Sequence, residues 1–199
     1  MENSNVNIEV FRMINDLGKE YTHLNSSVIF IAEYTVFFLA LAVLLFWFTR
    51  DKNNRMMIIC GAITVFIAEI IGKLAGKLHS NQQPFAELPN VNQLIEKAVD
   101  NSFPSDHTII FFSFCTVFWL FKKRSGFLWV LLAASVGFSR IWVGVHYPAD
   151  IAVGAIISIF TAVIIYLTVP KLLIIKKGLD LYEKAKNSIL PQKVKSKNF

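Results

Sequence analysis

Apolar residues fall into five blocks, each close to the length of a membrane crossing and separated by polar breaks. Ser26–Phe48 runs 23 residues with Glu33 as its single charge. At about 1.5 Å per residue a helix of that length crosses about 30 Å of hydrocarbon. Asn25 or Ser26 is suited to cap it. Met56–Gly72 forms the second block, with Lys73–Lys77 continuing the helix into the interface. Pro104–Phe121, Phe127–Trp142 and Pro148–Val169 are the third, fourth and fifth, and Pro148 suits a first helical position. Ahead of these, Ile8, Phe11 and Ile14, with Met13 and Leu17 close by, fall near helical spacing and predict an interfacial amphipathic helix. Leu78–Phe103 is the one long polar stretch; it holds Pro84 and Pro89, and a short helix is expected near Val91–Val99. After Pro170, the apolar positions Leu172, Leu173, Ile175, Leu179, Leu181 and Tyr182 predict a helix along the surface, with disorder expected beyond about Ser188. The pattern predicts an all-α integral membrane protein of about five transmembrane helices plus an N-terminal amphipathic helix. Its parts are residues 1–25, a membrane domain over 26–176 and a basic tail over 177–199.

Composition agrees. The chain is 54% hydrophobic and only 17% charged, with mean hydropathy +0.50, against about 25% charged for a soluble domain. Cys60 and Cys115 lie inside apolar runs and read as small buried hydrophobes, with no disulfide or metal site implied. The first 25 residues hold no apolar core of a cleaved signal peptide, so the first span is expected to act as its own insertion signal. Trp47, Trp119, Trp129 and Trp142 read as interface aromatics.

Charge gives an orientation. Fourteen Lys and Arg fall in the first-to-second loop, the third-to-fourth turn and the C-terminal tail. Six fall on the opposite side: Arg12, Lys19, Lys73, Lys77, Lys97 and Arg140. The richer side is expected to be cytoplasmic, which puts the N-terminus and the long polar stretch outside.

Two clusters on that outer side carry chemistry: Asn101–Thr108, with Ser105, Asp106 and His107, and Phe138–Asp150, with Ser139, Arg140, His146 and Asp150. Two spans separate them, so both reach the same face, and so does the end of the second span at Lys73 and Lys77. Helix N-termini at His107 and Asp150 present unpaired N–H groups that suit an anion. Arg140 offers a fork of donors matched to phosphate, and two His with an Asp suggest nucleophilic and proton-transfer roles. Glu33 has no partner nearby in its span and is a candidate for the site, whereas Glu69 precedes Lys73 by four residues and reads as a structural pair. His23 and His79 read as surface residues. No glycine-rich nucleotide loop occurs, and the lysine-rich tail suits orientation and anionic lipid rather than nucleic acid.

Ser139-Arg140, five residues, His146, three residues and Asp150 resemble the third signature motif of the type 2 phosphatidic acid phosphatase superfamily. Pro104-Ser105-Asp106-His107 resembles its second, Pro-Ser-Gly-His, with Asp106 in the glycine place. Phe103–Thr108 and Ser139–Gly144 look most like the bacitracin-resistance undecaprenyl-diphosphatase branch. The resemblance implies that His146 attacks phosphorus, Asp150 holds His146, and His107 protonates the leaving group and then activates water. Arg140 and Ser105 would hold the phosphoryl oxygens, with no metal and no cofactor. The first motif departs: where the family writes a Lys, six residues and Arg-Pro, this chain has Gln83-Pro84, with Lys77 and Lys73 nearby. Lys77, Gln83 and Asp106 are carried as phosphate-binding candidates, and Lys73, Glu33 and Ser139 as secondary ones.

The implied function is hydrolysis of a polyprenyl diphosphate at the outer face of a bacterial plasma membrane, for carrier-lipid recycling and bacitracin resistance. Two alternatives stand beside it: the same chemistry on phosphatidic acid or phosphatidylglycerol phosphate, and a non-enzymatic permease component. The orientation is checked by Asn90→Cys in intact cells. An impermeant maleimide is expected to label it from outside, and labelling only after lysis would reverse the topology.

Overall fold

The computed structural model describes residues 5–49, 51–123 and 126–189, with side chains to 185. Its helices are α1 (Asn5–Asn15), α2 (Leu17–Glu20), α3 (Asn25–Phe48), α4 (Lys52–Leu78), α5 (Pro84–Glu87), α6 (Asp106–Lys122), α7 (Phe127–Trp142), α8 (Pro148–Thr168) and α9 (Leu173–Ile189). The described residues contain no strand. The expected disorder beyond Ser188 falls almost wholly outside them.

Helix α6 is the axis of the bundle and packs against α4, α7 and α8; α3 lies outside, against α7 and α4. The core is apolar and tight, with Met57, Cys60, Phe111, Cys115, Phe118, Val136 and Ala162 buried. Helices meet at small residues, as membrane helices do when packing must replace the hydrophobic effect. Gly154 of α8 lies so close to α6 that an added Cβ would stand 3.3 Å from Ser105 O and Thr108 Cβ. Helix α3 buries little beyond Ala32, Thr35 and Leu39 and exposes Phe30, Phe37, Phe38 and Leu45, as a lipid-facing helix does. Three segments, Thr22–Phe48, Lys52–Leu78 and Pro148–Lys171, are long and apolar enough to span a membrane. Helices α6 and α7 have 17 and 16 residues, about 25 Å each, and α6 is enclosed by its neighbours.

Four expectations change. Helix α4 starts at Lys52, capped by Asp51 Oδ1 accepting from Asn53 N at 2.8 Å, so most of the basic loop is helical. Helix α6 starts at Asp106, with Ser105 as its cap, instead of at Pro104. Residues 91–99 are irregular. Their donors bond elsewhere, Leu94 N to Val143 O at 3.1 Å and Asn92 N to Asn15 Oδ1 at 2.9 Å, which removes the helix ladder. Trp142 is buried and donates from Nε1 to Asn25 Oδ1 at 2.9 Å, so it belongs to the core and not to an interface belt.

The amphipathic α1 does more than lie on a surface. Ile8, Phe11 and Ile14 turn inward, with Phe11 fully buried against Tyr147 at 5.6 Å between ring centres, while Met13 faces out. Asn15 donates to both Asn92 O (2.9 Å) and Trp142 O (2.8 Å), tying α1 to the long loop and to the end of α7.

At the opposite end α9 docks on α4. Leu179 is buried there, Tyr182 packs on Trp47, and Lys52 pairs with Asp180. Arg55 is fully buried. It donates to Trp47 O (3.1 Å) and Thr49 O (2.6 Å), pairs with Glu183 and lies over the Tyr182 ring at 5.4 Å. Removing one member of a buried ion pair strands the other. Arg55→Ala is therefore expected to cost about 3 kcal/mol, read as a lowered thermal midpoint in detergent; an unchanged midpoint would show that α9 does not depend on this clamp.

Candidate active site

One end each of α4, α6, α7 and α8 converges with the segment that precedes α6. Gly144, at φ +85°, lets the turn between α7 and α8 pass under that segment, where an added Cβ would stand 2.8 Å from Asn92 O. His146 sits in this turn and Asp150 in the first turn of α8, both almost wholly buried. Ser105 N donates to Asp150 O at 3.3 Å, which holds the start of α6 on the start of α8.

The geometry fixes the state of the His146 ring. Nδ1 lies 2.9 Å from Ser102 O. A carbonyl oxygen only accepts, so Nδ1 carries a hydrogen, and in the neutral ring that burial favours Nε2 keeps its lone pair. Asp150 Oδ2 stands 3.4 Å from the same Nδ1 and accepts from Ser102 Oγ (2.8 Å) and Tyr147 N (2.9 Å). Ser102 is itself held by Asn81, through Ser102 N to Asn81 O (2.8 Å) and Asn81 Nδ2 to Ser102 Oγ (3.1 Å). Nε2 points away from this network, and Lys97 Nζ stands 3.1 Å from it.

Arg140 is buried in the last turn of α7, with Nη1 donating to Ala32 O at 3.1 Å and Nε without a partner among the described residues. Glu33 lies within electrostatic reach of it. His107, in the first turn of α6, is within electrostatic reach of Arg140, His146 and Lys97, and its ring makes no hydrogen bond among the described residues. Ser105 caps α6, its Oγ accepting from Thr108 N at 3.5 Å.

The sequence candidates therefore divide. His146, Asp150, Arg140, His107 and Ser105 come together. Lys73, Lys77 and Asp106 line a neighbouring cleft of about 330 Å³ with Asn101 and Phe103. Gln83 is fully buried and grips Asp100 with both ends of its amide, Nε2 to Asp100 Oδ1 and Asp100 N to Oε1 at 3.0 Å. Ser139 Oγ donates into its own helix, to Val136 O at 2.7 Å. Three site neighbours carried no sequence motif: Ser102, Asn81 and Lys97. Ser102 falls inside the Asn101–Thr108 cluster without being singled out, Asn81 leaves no signal, and Lys97 is visible only as the one Lys or Arg between Leu78 and Phe103.

Fold and site define an all-α integral membrane protein whose chemistry-bearing side chains gather at one end of a helical bundle. The PAP2 superfamily pattern matches residues 75–174, and the chain belongs to that superfamily. It is 54% identical, over the whole of both chains, to the protein named bacitracin transport permease protein BcrC of Bacillus licheniformis. It is 32% identical to undecaprenyl-diphosphatase BcrC of Bacillus subtilis, covering 77% of this chain and 79% of that one. The crystal structure of Aquifex aeolicus LpxE superposes with a TM-score of 0.63 at 26% identity, covering 83% of this chain and 97% of that one.

Burial, joined by the charges of Lys97 and Arg140, lowers the His146 pKa below its ordinary value, against the pull of Asp150. The folded state then binds fewer protons than the unfolded chain, so stability present above pH 6.5 falls as pH drops below that value. The thermal midpoint of the protein in detergent is expected to fall with acidification through that window, and less steeply in His146→Asn. Equal slopes would show that His146 is not held neutral.

Proposed function

We propose that the protein is a lipid-diphosphate phosphatase that hydrolyses undecaprenyl diphosphate to undecaprenyl phosphate and phosphate. The observation that carries the reading is the His146 ring, with Nδ1–H anchored on Ser102 O and Nε2 left as a free base beside cations. In the first half-reaction Nε2 attacks the terminal phosphorus and the bond from phosphorus to the bridging oxygen breaks. The leaving lipid phosphate takes a proton from His107. Phosphorylated His146 becomes positively charged at the ring, which the nearby Asp150 carboxylate offsets. In the second half-reaction His107 takes a proton from water, the water oxygen attacks phosphorus, and phosphate leaves with Nε2 restored. Arg140, Ser105 and the N–H groups at the start of α6 stabilise charge on the transferring group, where donors already in place do most to lower the barrier of phosphoryl transfer. Lys73, Lys77 and Asp106 fit a role in admitting the substrate headgroup through their cleft, with Glu33 setting the Arg140 position.

The names of the two BcrC relatives point in different directions, one to transport and one to hydrolysis. The distribution of polar groups favours hydrolysis. Among the described residues the fully buried charges sit at the two ends of the bundle, and its middle holds only hydroxyls such as Ser113, Thr116 and Ser158 among Cys60, Phe111, Cys115 and Phe118, with no buried charge to line a permeant's path.

The membrane domain, residues 26–176, carries the reaction, with α1 as a strap and the basic tail as an anchor. The site faces outside a bacterial plasma membrane and the C-terminus the cytoplasm. Its support is the fourteen basic residues in the segments joined to the Arg55 end. The substrate tail stays in the bilayer, against apolar surface of the kind α3 exposes.

The test is phosphate release from purified protein in detergent with chelator, against undecaprenyl diphosphate, phosphatidic acid and phosphatidylglycerol phosphate. Undecaprenyl diphosphate is expected to be the best substrate, and orthovanadate to inhibit. His146→Ala is expected to lose more than about a thousandfold in kcat. Full activity in that variant would refute the mechanism, and preference for a glycerolipid would reassign the substrate.

A further inference from the structure

The cation nearest the attacking nitrogen comes from outside the motifs. Lys97 lies in the irregular segment before α6, half-buried, with Nζ 3.1 Å from His146 Nε2. Since Nδ1 holds the ring hydrogen, the ammonium is the donor and Nε2 the acceptor. Among the described residues no carboxylate lies within salt-bridge distance of Lys97; Asp100, Asp106 and Asp150 act on it at longer range. Burial and the Arg140 guanidinium hold its pKa below the ordinary lysine value.

The path of the segment explains how it arrives there. Gln83, where the resemblance expects an arginine, is buried and clasps Asp100, three residues from Lys97. Ser102 N on Asn81 O fastens the next turn. The residue at 83 thus shapes the loop, and a positive charge reaches the site from position 97. An ammonium held against the lone pair of a nucleophile blocks it until an anion draws the ammonium away. A dianionic phosphoryl group entering beside Arg140 would do that.

We propose that Lys97 is a catalytic residue of this site: its ammonium leaves His146 Nε2 for a non-bridging oxygen of the terminal phosphoryl group, freeing the nucleophile and supplying the cation that Gln83 does not. Lys97 keeps its three protons throughout. The bond that forms is Nε2–P, the bond that breaks is from phosphorus to the bridging oxygen, and the electron pair leaves with the lipid phosphate. The proposal rests on the phosphatase reading above.

The experiment compares wild type, Lys97→Met, Lys97→Arg and His146→Ala as full-length protein in detergent, with thermal midpoints confirming folding. Lys97→Met is expected to lower kcat/KM by about 10²–10³-fold and to weaken orthovanadate binding, read by thermal shift, at least about tenfold. It should also move the acid limb of kcat/KM to higher pH, because losing a cation raises the pKa of His146. Lys97→Arg should regain at least about a tenth of wild-type kcat/KM through its retained charge. A purely structural Lys97 would leave the acid limb and vanadate binding unmoved. Overturning results are Lys97→Met within about threefold of wild type, or a loss that Lys97→Arg does not relieve. Wild type without activity would instead refute the phosphatase reading. Vanadate binding then still decides for Lys97: equal affinity in wild type and Lys97→Met would overturn its role at the anion.

Discussion

The site depends on one oxygen that can only accept. Ser102 O is buried next to a histidine ring, and a buried carbonyl left unpaired is costly. His146 Nδ1–H satisfies it at 2.9 Å. That bond chooses the tautomer, and the tautomer leaves Nε2 as a base. The same residue hands its hydroxyl hydrogen to Asp150 Oδ2. Asp150 therefore acts on His146 from 3.4 Å as a nearby charge, while the carbonyl makes the closer contact. Asn81, just past the end of α4, secures Ser102 through two bonds. The line of support runs from a membrane helix, through a buried amide and a serine, to the ring.

Helix packing makes that line rigid. Gly154 allows α8 to reach the start of α6, and Ser105 N then finds Asp150 O. The loop that carries Lys97 has no ladder of its own. It is held by what crosses it: α1 through Asn15, the turn after α7 through Leu94 and Val143, and Gln83 through Asp100. Helix α1, which the sequence marked only as amphipathic, stabilises the least regular wall of the site.

The features that could be read in advance were those with a period or a fixed spacing. Five apolar blocks gave the helices to within a few residues because lipid demands length and apolarity together. Counting spans put His107 and His146 at one end before any distance was known, and the third motif named Arg140, His146 and Asp150, which lie together in the structure. What escaped depended on pairing across the chain. Lys97 and His146 are 49 residues apart, and being the one Lys or Arg of its loop does not say which residue Lys97 meets. Residues 91–99 contain apolar residues that suit a short helix, yet their amides bond to Val143 and Asn15, so tertiary contacts override the local preference. Trp142 looked like an interface aromatic until Asn25 gave its N–H a buried partner. Ser139 sits inside a motif, but its hydroxyl turns back to Val136 O, a helix bond that residue spacing does not reveal.

Two buried arginines, one at each end of the bundle, meet different surroundings. Arg55 meets two carbonyls, a carboxylate and an aromatic ring, all supplied by the protein. Arg140 meets one carbonyl, and its Nε has no partner among the described residues. A buried donor without a partner costs about 1–3 kcal/mol, and here it lies near a half-buried Lys97 that has no carboxylate within salt-bridge distance among the described residues. Packing gives no reason to keep two such cations at one end when the other end shows how a buried arginine is satisfied. An anion with several oxygens would serve both at once, and a terminal phosphoryl group has the charge and the acceptors. Binding it would return the free energy that the unmet donors withhold. Under the proposed mechanism, charge on the transferring group redistributes as His146 attacks, and donors held ready in a buried pocket favour that transition state, where a paired arginine like Arg55 could not respond.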